Sequence, residues 1–225
     1  MLTPVKLLQT QKIVCIEEAT QKATVPSTHM KADIIRIQQK IGVTADGIIG
    51  PRTVQALTRE LGITPATVPS WPTQAEVRKG TSCFGRPGNE SVLTSIVPPY
   101  PLFYDGKALR SIRVHELVAP HVLAVLREVL EHYGQDEIHR LGLDLYGGSY
   151  NYRASTGGNS LSMHAWGIAL DFSPAANAYK TKAPRASLSH RDCRAWWEIW
   201  ESHGAVSLGR SRDYDWMHVQ FARLS

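Results

Sequence analysis

Two short stretches, far apart in the chain, constrain this protein more than any other feature. The first reads Ser162-x-His164-x-x-Gly167-x-Ala169-x-Asp171, and the second is Asp215-x-x-His218. A catalytic zinc ion commonly takes three protein ligands, drawn from histidine nitrogens and a carboxylate, and leaves a fourth position to water. His164, Asp171 and His218 meet that demand, and Asp215 remains as a base. The fold must therefore bring both stretches to one place.

Read as one straight strand, residues 166–172 put Ile168, Leu170 and Phe172 on one face and Gly167, Ala169 and Asp171 on the other. His164 has the parity of the wrong face. The chain is expected to bend between His164 and Ala169, with Gly167 taking the unusual backbone angles and His164 on a turn. Residues 218–221 alternate polar and apolar, which predicts a half-buried strand with His218 turned into a cleft. Asp215, three residues earlier, can approach the same water and serve as acid and base without coordinating the ion. His29, His115, His121, His132, His139, His190 and His203 read as structural or solvated residues. Cys15, Cys83 and Cys193 form no C-x-x-C pair and read as free thiols.

These residues resemble the S-x-H-x-x-G-x-A-x-D and [DE]-x-x-H signatures of the VanY-like zinc peptidases. That group holds D-alanyl-D-alanine carboxypeptidases and the L-alanyl-D-glutamate endopeptidases of phage endolysins. The resemblance covers roughly residues 80 to 221. It implies that His164, Asp171 and His218 hold one zinc ion, that Asp215 is the catalytic acid/base, and that Ser162 is a polar neighbour. Arg153 resembles the family's Tyr-Arg element, whose guanidinium helps hold substrate or oxyanion; a planar, permanently charged fork suits either. Many relatives carry a Gln shortly after that arginine, where this chain has a glycine-rich run with Asn159 as the candidate replacement. Trp166 and Trp216, each beside an expected ligand, are candidates to line the cleft.

A second signal spans residues 31–66. Ile34, Ile37, Gln38 and Ile41 keep helical spacing, Gly42 offers a stop, and Asp46, Gly47, Gly50, Pro51 and Thr53 lead into a second helix with Thr53 as N-cap. The stretch resembles the peptidoglycan-binding domain type 1, a three-helix module marked by L-Q-x-x-L-G and D-G-x-x-G-x-x-T, with Ile at both leucine positions. Asp46, Gly47, Gly50 and Thr53 are its candidate residues, and Asp46, Gly47 and Gly50 are expected to shape the loop more than to touch glycan. Residues 1–30 carry no secretory signal or transmembrane pattern; their role is open, one option being the module's third helix. The proline-containing tract 67–80 reads as a linker, and residues 81–225 as the zinc peptidase domain.

Of the charged residues, 10 basic and 6 acidic fall in the first 80, against 15 and 14 in the remainder. The excess thus sits with the expected wall-binding part, which long-range attraction would draw to carboxylates and phosphates. Nucleic acid is the rival partner for a pI of 9.2, but no nucleic-acid motif accompanies it. An odd number of cysteines, three, gives no disulfide framework and suggests synthesis in a reducing cytoplasm; with no signal peptide expected, the resemblance to phage endolysins implies release by a holin and action on the cell wall.

Residues 118–133 predict an amphipathic helix with Gly134 beyond its end. A second helix over 191–203 carries Trp196, Trp197 and Trp200 as core. Short strands are expected near 111–114, 143–146, 169–172 and 218–221, giving an α+β domain with a small antiparallel sheet. The resemblance implies the fold shared by D,D-peptidases and the hedgehog signalling domain. The leading expectation is a monomeric zinc peptidase that cuts peptidoglycan stem peptides, an L-alanyl-D-glutamate endopeptidase acting as an endolysin, with no membrane insertion. The alternatives are a D-alanyl-D-alanine carboxypeptidase and a non-catalytic wall-binding protein.

Overall fold

The architecture is that of a computed structural model, which describes residues 28–47, 49–63 and 69–224. Its N-terminal part holds α1 (Thr28–Lys40) and α2 (Pro51–Glu60), followed by the short α3 (Gln74–Lys79). Next come β1 (Leu93–Ile96), β2 (Phe103–Tyr104), β3 (Lys107–Ala108), β4 (Ile112–His115) and the long α4 (Ala119–Leu141). The C-terminal part adds β5 (Tyr146–Gly148), β6 (Ala169–Phe172), α5 (Arg194–Ser202), β7 (Val206–Ser207), α6 (Leu208–Arg212) and β8 (His218–Gln220). Mixed helices and small antiparallel sheets make this an α+β fold. Among the described residues, no helix is long and apolar enough to cross a membrane.

The sheet that matters is four-stranded, in the order β5-β6-β8-β7, with every pair antiparallel. All four β6 residues are buried, because the strand is central and packed on both faces. On one face Phe172 meets the Trp196 ring edge-on at 4.9 Å, with Trp200 at 5.8 Å. Trp196, Trp197 and Trp200 are almost wholly buried, so the tryptophan cluster of α5 is core, as its helical spacing indicated. Each such side chain contributes on the order of 2 kcal/mol by leaving water. α4 supplies Val122, Val125, Leu126 and Val129 to the same core.

Two helix boundaries differ from those the sequence suggests. Gly134 does not end α4: it breaks the helix at φ 69° and ψ 161°, and the chain resumes helical form to Leu141. Ile138, 1% exposed, returns an apolar anchor to the core beyond the break, and Gly142 caps the end in the left-handed region. Thr53 is not the N-cap of α2. That place belongs to Gly50 with Pro51 behind it, while Thr53 turns inward and accepts from Gln38 Nε2 at 3.1 Å. Gln38, itself 1% exposed, also donates to Asp46 Oδ1 and accepts from the Gly47 amide, both at 2.8 Å. Gln38 thus ties Asp46 and Gly47, between α1 and α2, to Thr53 in the first turn of α2. Any helix within residues 1–27 lies outside the described residues.

The tract expected to link two units behaves differently over its described part. Thr73 opens α3 with a capping box shared with Glu76. The Gln74 amide donates to Arg223 O at 2.8 Å, Arg223 Nε donates to Trp71 O at 2.7 Å, and the Trp71 indole N–H reaches His203 O at 3.1 Å. Residues 71–79 are held against the C-terminal segment because backbone, guanidinium and indole groups there find their partners in each other.

Candidate metal centre

Cross-strand register carries half the site. Asp171 on β6 lies opposite His218 on β8, which puts the two side chains on one sheet face within reach. β5 approaches closely enough that a Cβ on Gly147 would stand 2.9 Å from the Asp171 Cβ, so only glycine fits there. His164 comes from a 3₁₀ turn, Met163–Trp166, whose N-cap Ser162 accepts from the His164 amide through Oγ at 3.4 Å. Gly167 ends that turn at φ 68°, with its amide on His164 O at 3.0 Å. The bend between His164 and Ala169 is therefore located at this glycine.

The three side chains converge. His164 Nε2 lies 3.2 Å from His218 Nδ1 and 3.2 Å from Asp171 Oδ2, and His218 Nδ1 lies 3.1 Å from Asp171 Oδ1. A tetrahedral ion with zinc-like bonds of about 2.0–2.1 Å would separate its ligand atoms by about 3.3–3.5 Å, close to this triangle. The ring protons strengthen the fit. His164 Nδ1 is 2.6 Å from Ser149 O, and a carbonyl can only accept, so the proton is there and Nε2 keeps its lone pair. His218 Nε2 is 3.1 Å from Gln220 Oε1, which likewise leaves Nδ1 free. Two neutral rings so held aim two lone pairs at each other and at a carboxylate, an arrangement that asks for a cation. His164, Asp171 and His218 thus form a group able to hold a metal ion.

Titration tendencies agree with this geometry. Burial pushes the Asp171 carboxyl up, but hydrogen bonds and charge from His164 and His218 outweigh it and hold it well below the usual carboxylate range. Burial depresses His218, yet the Asp171 hydrogen bond and charge win and raise it, a proton serving where a cation would. Asp215 stands apart from the three-residue group but lines the same cleft as Asp171 and His218. It occupies the left-handed region at φ 53°, with its amide on Tyr179 O at 3.1 Å and its carbonyl accepting the His218 amide at 3.0 Å. Burial raises its carboxyl above the ordinary value, and its buried Oδ1 has no hydrogen-bond partner among the described residues. A carboxyl of that kind is suited to exchanging a proton with a reactant.

Arg153 and Ser162 also line the cleft, as do Ser155, Thr156, Gly157 and Gly158 of the glycine-rich run. Asn159 is exposed and lies outside that lining. The two tryptophans beside the expected ligands are core residues, contrary to the cleft role their positions suggested. The Trp166 indole donates to Gly85 O at 3.0 Å, and Trp216 donates to Asp213 Oδ1 at 2.9 Å while packed on Gly209 and Trp197. Sequence reading passed over Gln220 and Gln74. Gln220 is two residues from His218 on a strand, so it shares its face and could have been found by parity. Gln74 lay in the presumed linker, where only the Thr73-x-x-Glu76 capping pattern marked a helix.

The class of site is therefore a buried group of two histidines and one carboxylate able to hold a metal ion, with the unpartnered Asp215 carboxyl in the same cleft, a donor set of the kind metal-dependent hydrolases use. A family model described as D-alanyl-D-alanine carboxypeptidase matches residues 156–221, the segment that contains all four of these residues, and supports a peptidase. No curated protein and no solved structure matches the chain.

Proposed function

We propose that the chain is a zinc peptidase that hydrolyses the stem peptides of peptidoglycan, as an L-alanyl-D-glutamate endopeptidase of a phage or prophage lysis system, built on the fold of D,D-peptidases. The observation that carries the peptidase reading is the triangle of His164, Asp171 and His218 with the unpartnered Asp215 carboxyl in the same cleft. Zinc bound there supplies a Lewis acid for the scissile carbonyl and an acidified water. Asp215 takes the proton of the attacking water and returns it to the departing amine. Arg153, a permanent cation in the cleft, orients the substrate carbonyl or a nearby carboxylate.

The endopeptidase reading draws support from the cleft's two sides. Asp171 and Arg153 border one depression flanked by Tyr179 and Tyr214 and another flanked by Tyr104 and Tyr150. Substrate can then extend in both directions from the scissile bond. A second reading, the D-alanyl-D-alanine carboxypeptidase, is favoured by the description of the matching family and by Arg78 and Arg153. Among the described residues neither guanidinium pairs with a carboxylate, so both are available to a terminal one. The helical pair α1 and α2 would hold the enzyme on the wall and raise the local concentration of bonds.

Mass spectrometry of digested peptidoglycan separates these readings. New L-Ala carboxyl and D-Glu amino termini support the endopeptidase, and loss of terminal D-Ala alone supports the carboxypeptidase. Stoichiometric zinc binding with no cleavage of walls from several bacteria would leave a wall-binding protein.

A further inference from the structure

A line of hydrogen bonds runs from the surface of α3 to the metal-facing ring of His218. Arg78 Nη1 donates to Gln74 Oε1 at 3.2 Å, and Gln74 Nε2 donates to Gln220 Oε1 at 3.0 Å. Gln220 Nε2 donates to Ala222 O at 2.6 Å, and its Oε1 faces His218 Nε2 at 3.1 Å. The ends of this line set its direction, because a guanidinium only donates and a backbone carbonyl only accepts. Gln74 must turn its oxygen to Arg78 and its amide nitrogen to Gln220. Gln220 must turn its nitrogen to Ala222 and its oxygen to His218. An oxygen facing Nε2 requires the proton on that nitrogen, which leaves the Nδ1 lone pair toward His164 and Asp171.

The line is also anchored mechanically. Arg78 is fixed by a second bond, from Nε to Leu161 O at 3.2 Å, and α3 is held by its capping box and by Arg223. Gln220 is 1% exposed, so water offers no substitute partner.

We propose that Gln74 is a positioning residue for the metal centre: through Gln220 it holds His218 in the tautomer and orientation that present Nδ1 to a divalent cation. The proposal rests on the zinc reading of the site but not on the bond the enzyme cuts. α3 is then part of the centre, although Gln74 lies 90 residues before His164, the nearest ligand in sequence.

The test uses the full chain with zinc as the probe, measured by competition with a chromophoric chelator. Gln74→Ala removes the link, and Gln74→Glu keeps the bond to Arg78 while offering Gln220 no donor. Both should weaken zinc binding by about tenfold or more, the usual range for loss of a group that orients a metal ligand. Lys79→Ala, exposed on the same helix, should leave the affinity unchanged, and thermal melts of the metal-free proteins check that α3 stays folded. In the zinc-loaded variants the His218 Nε2 proton, followed by ¹⁵N NMR, should exchange faster than in the wild type. Zinc affinity within about twofold of wild type in both Gln74 variants, with unaltered proton exchange, overturns the proposal. A wild-type protein that binds zinc but cuts no stem peptide removes the proposed reaction and leaves the positioning role intact.

Discussion

Gly167→Ala tests whether the turn that carries His164 depends on this glycine. Gly167 sits at φ 68°, and a Cβ there would lie 2.5 Å from Leu93 Cδ2 and 3.1 Å from the His115 backbone nitrogen. The left-handed region costs a residue with a side chain about 1–2 kcal/mol. Forcing a methyl into packed surroundings costs about 1–3 kcal/mol more. The Leu93 side chain can rotate away, whereas the His115 amide is held on Gly167 O at 2.9 Å and cannot. The sum is a loss of about 2–5 kcal/mol, toward the lower end if Leu93 yields fully. Urea denaturation of the metal-free protein would read this as a lower midpoint at unchanged slope. Because the Gly167 amide closes the His164 turn, zinc affinity should fall as well. A loss below about 0.5 kcal/mol, within the range of ordinary surface substitutions, with normal zinc affinity would show that the His164 turn does not depend on this glycine.

Asp215→Asn keeps the shape of a side chain outside the three-residue metal group, so zinc binding should persist while turnover drops by about 10²–10⁴-fold; near-normal rates in a stem-peptide assay would remove Asp215 as the base. His218 is raised by Asp171, so its proton stabilises the metal-free fold below the ordinary imidazole pKa, and that stability is lost as pH rises through the raised value. Zinc must displace this proton, so the rise in Tm on adding zinc should grow between pH 6 and pH 8, and a pH-independent increment would contradict the coupling. Arg153→Ala should raise KM or lower kcat for stem peptides by at least about tenfold, whereas Asn159→Ala, exposed and outside the cleft lining, should match wild type in the same assay.

The convergence of His164, Asp171 and His218 was legible because these residue types are rare in combination and their spacing encodes geometry. Parity placed Asp171 and His218 on strands and exposed the misfit of His164, and the structure resolves that misfit at Gly167. What escaped depends on contacts distant in sequence. Trp166 sits near a proposed ligand in the chain, yet its indole turns to Gly85, a partner 81 residues away that no local pattern marks. The helical break at Gly134 looked like an end because the return of Ile138 to the core is a tertiary event. Thr53 had the chemistry of an N-cap, but Gln38, fifteen residues earlier, claims its hydroxyl from the buried side. Proline around residue 70 suggested a spacer, and only the bonds to His203 and Arg223 reveal that Trp71 and α3 are docked.

The most direct test of the central claim is hydrolysis of purified muropeptides by protein stripped with a chelator and then titrated with zinc. A zinc peptidase of this kind should show no cleavage without metal and full recovery at one zinc per chain. Cleavage that survives complete removal of metal, or a stripped protein that takes up no zinc, would contradict it.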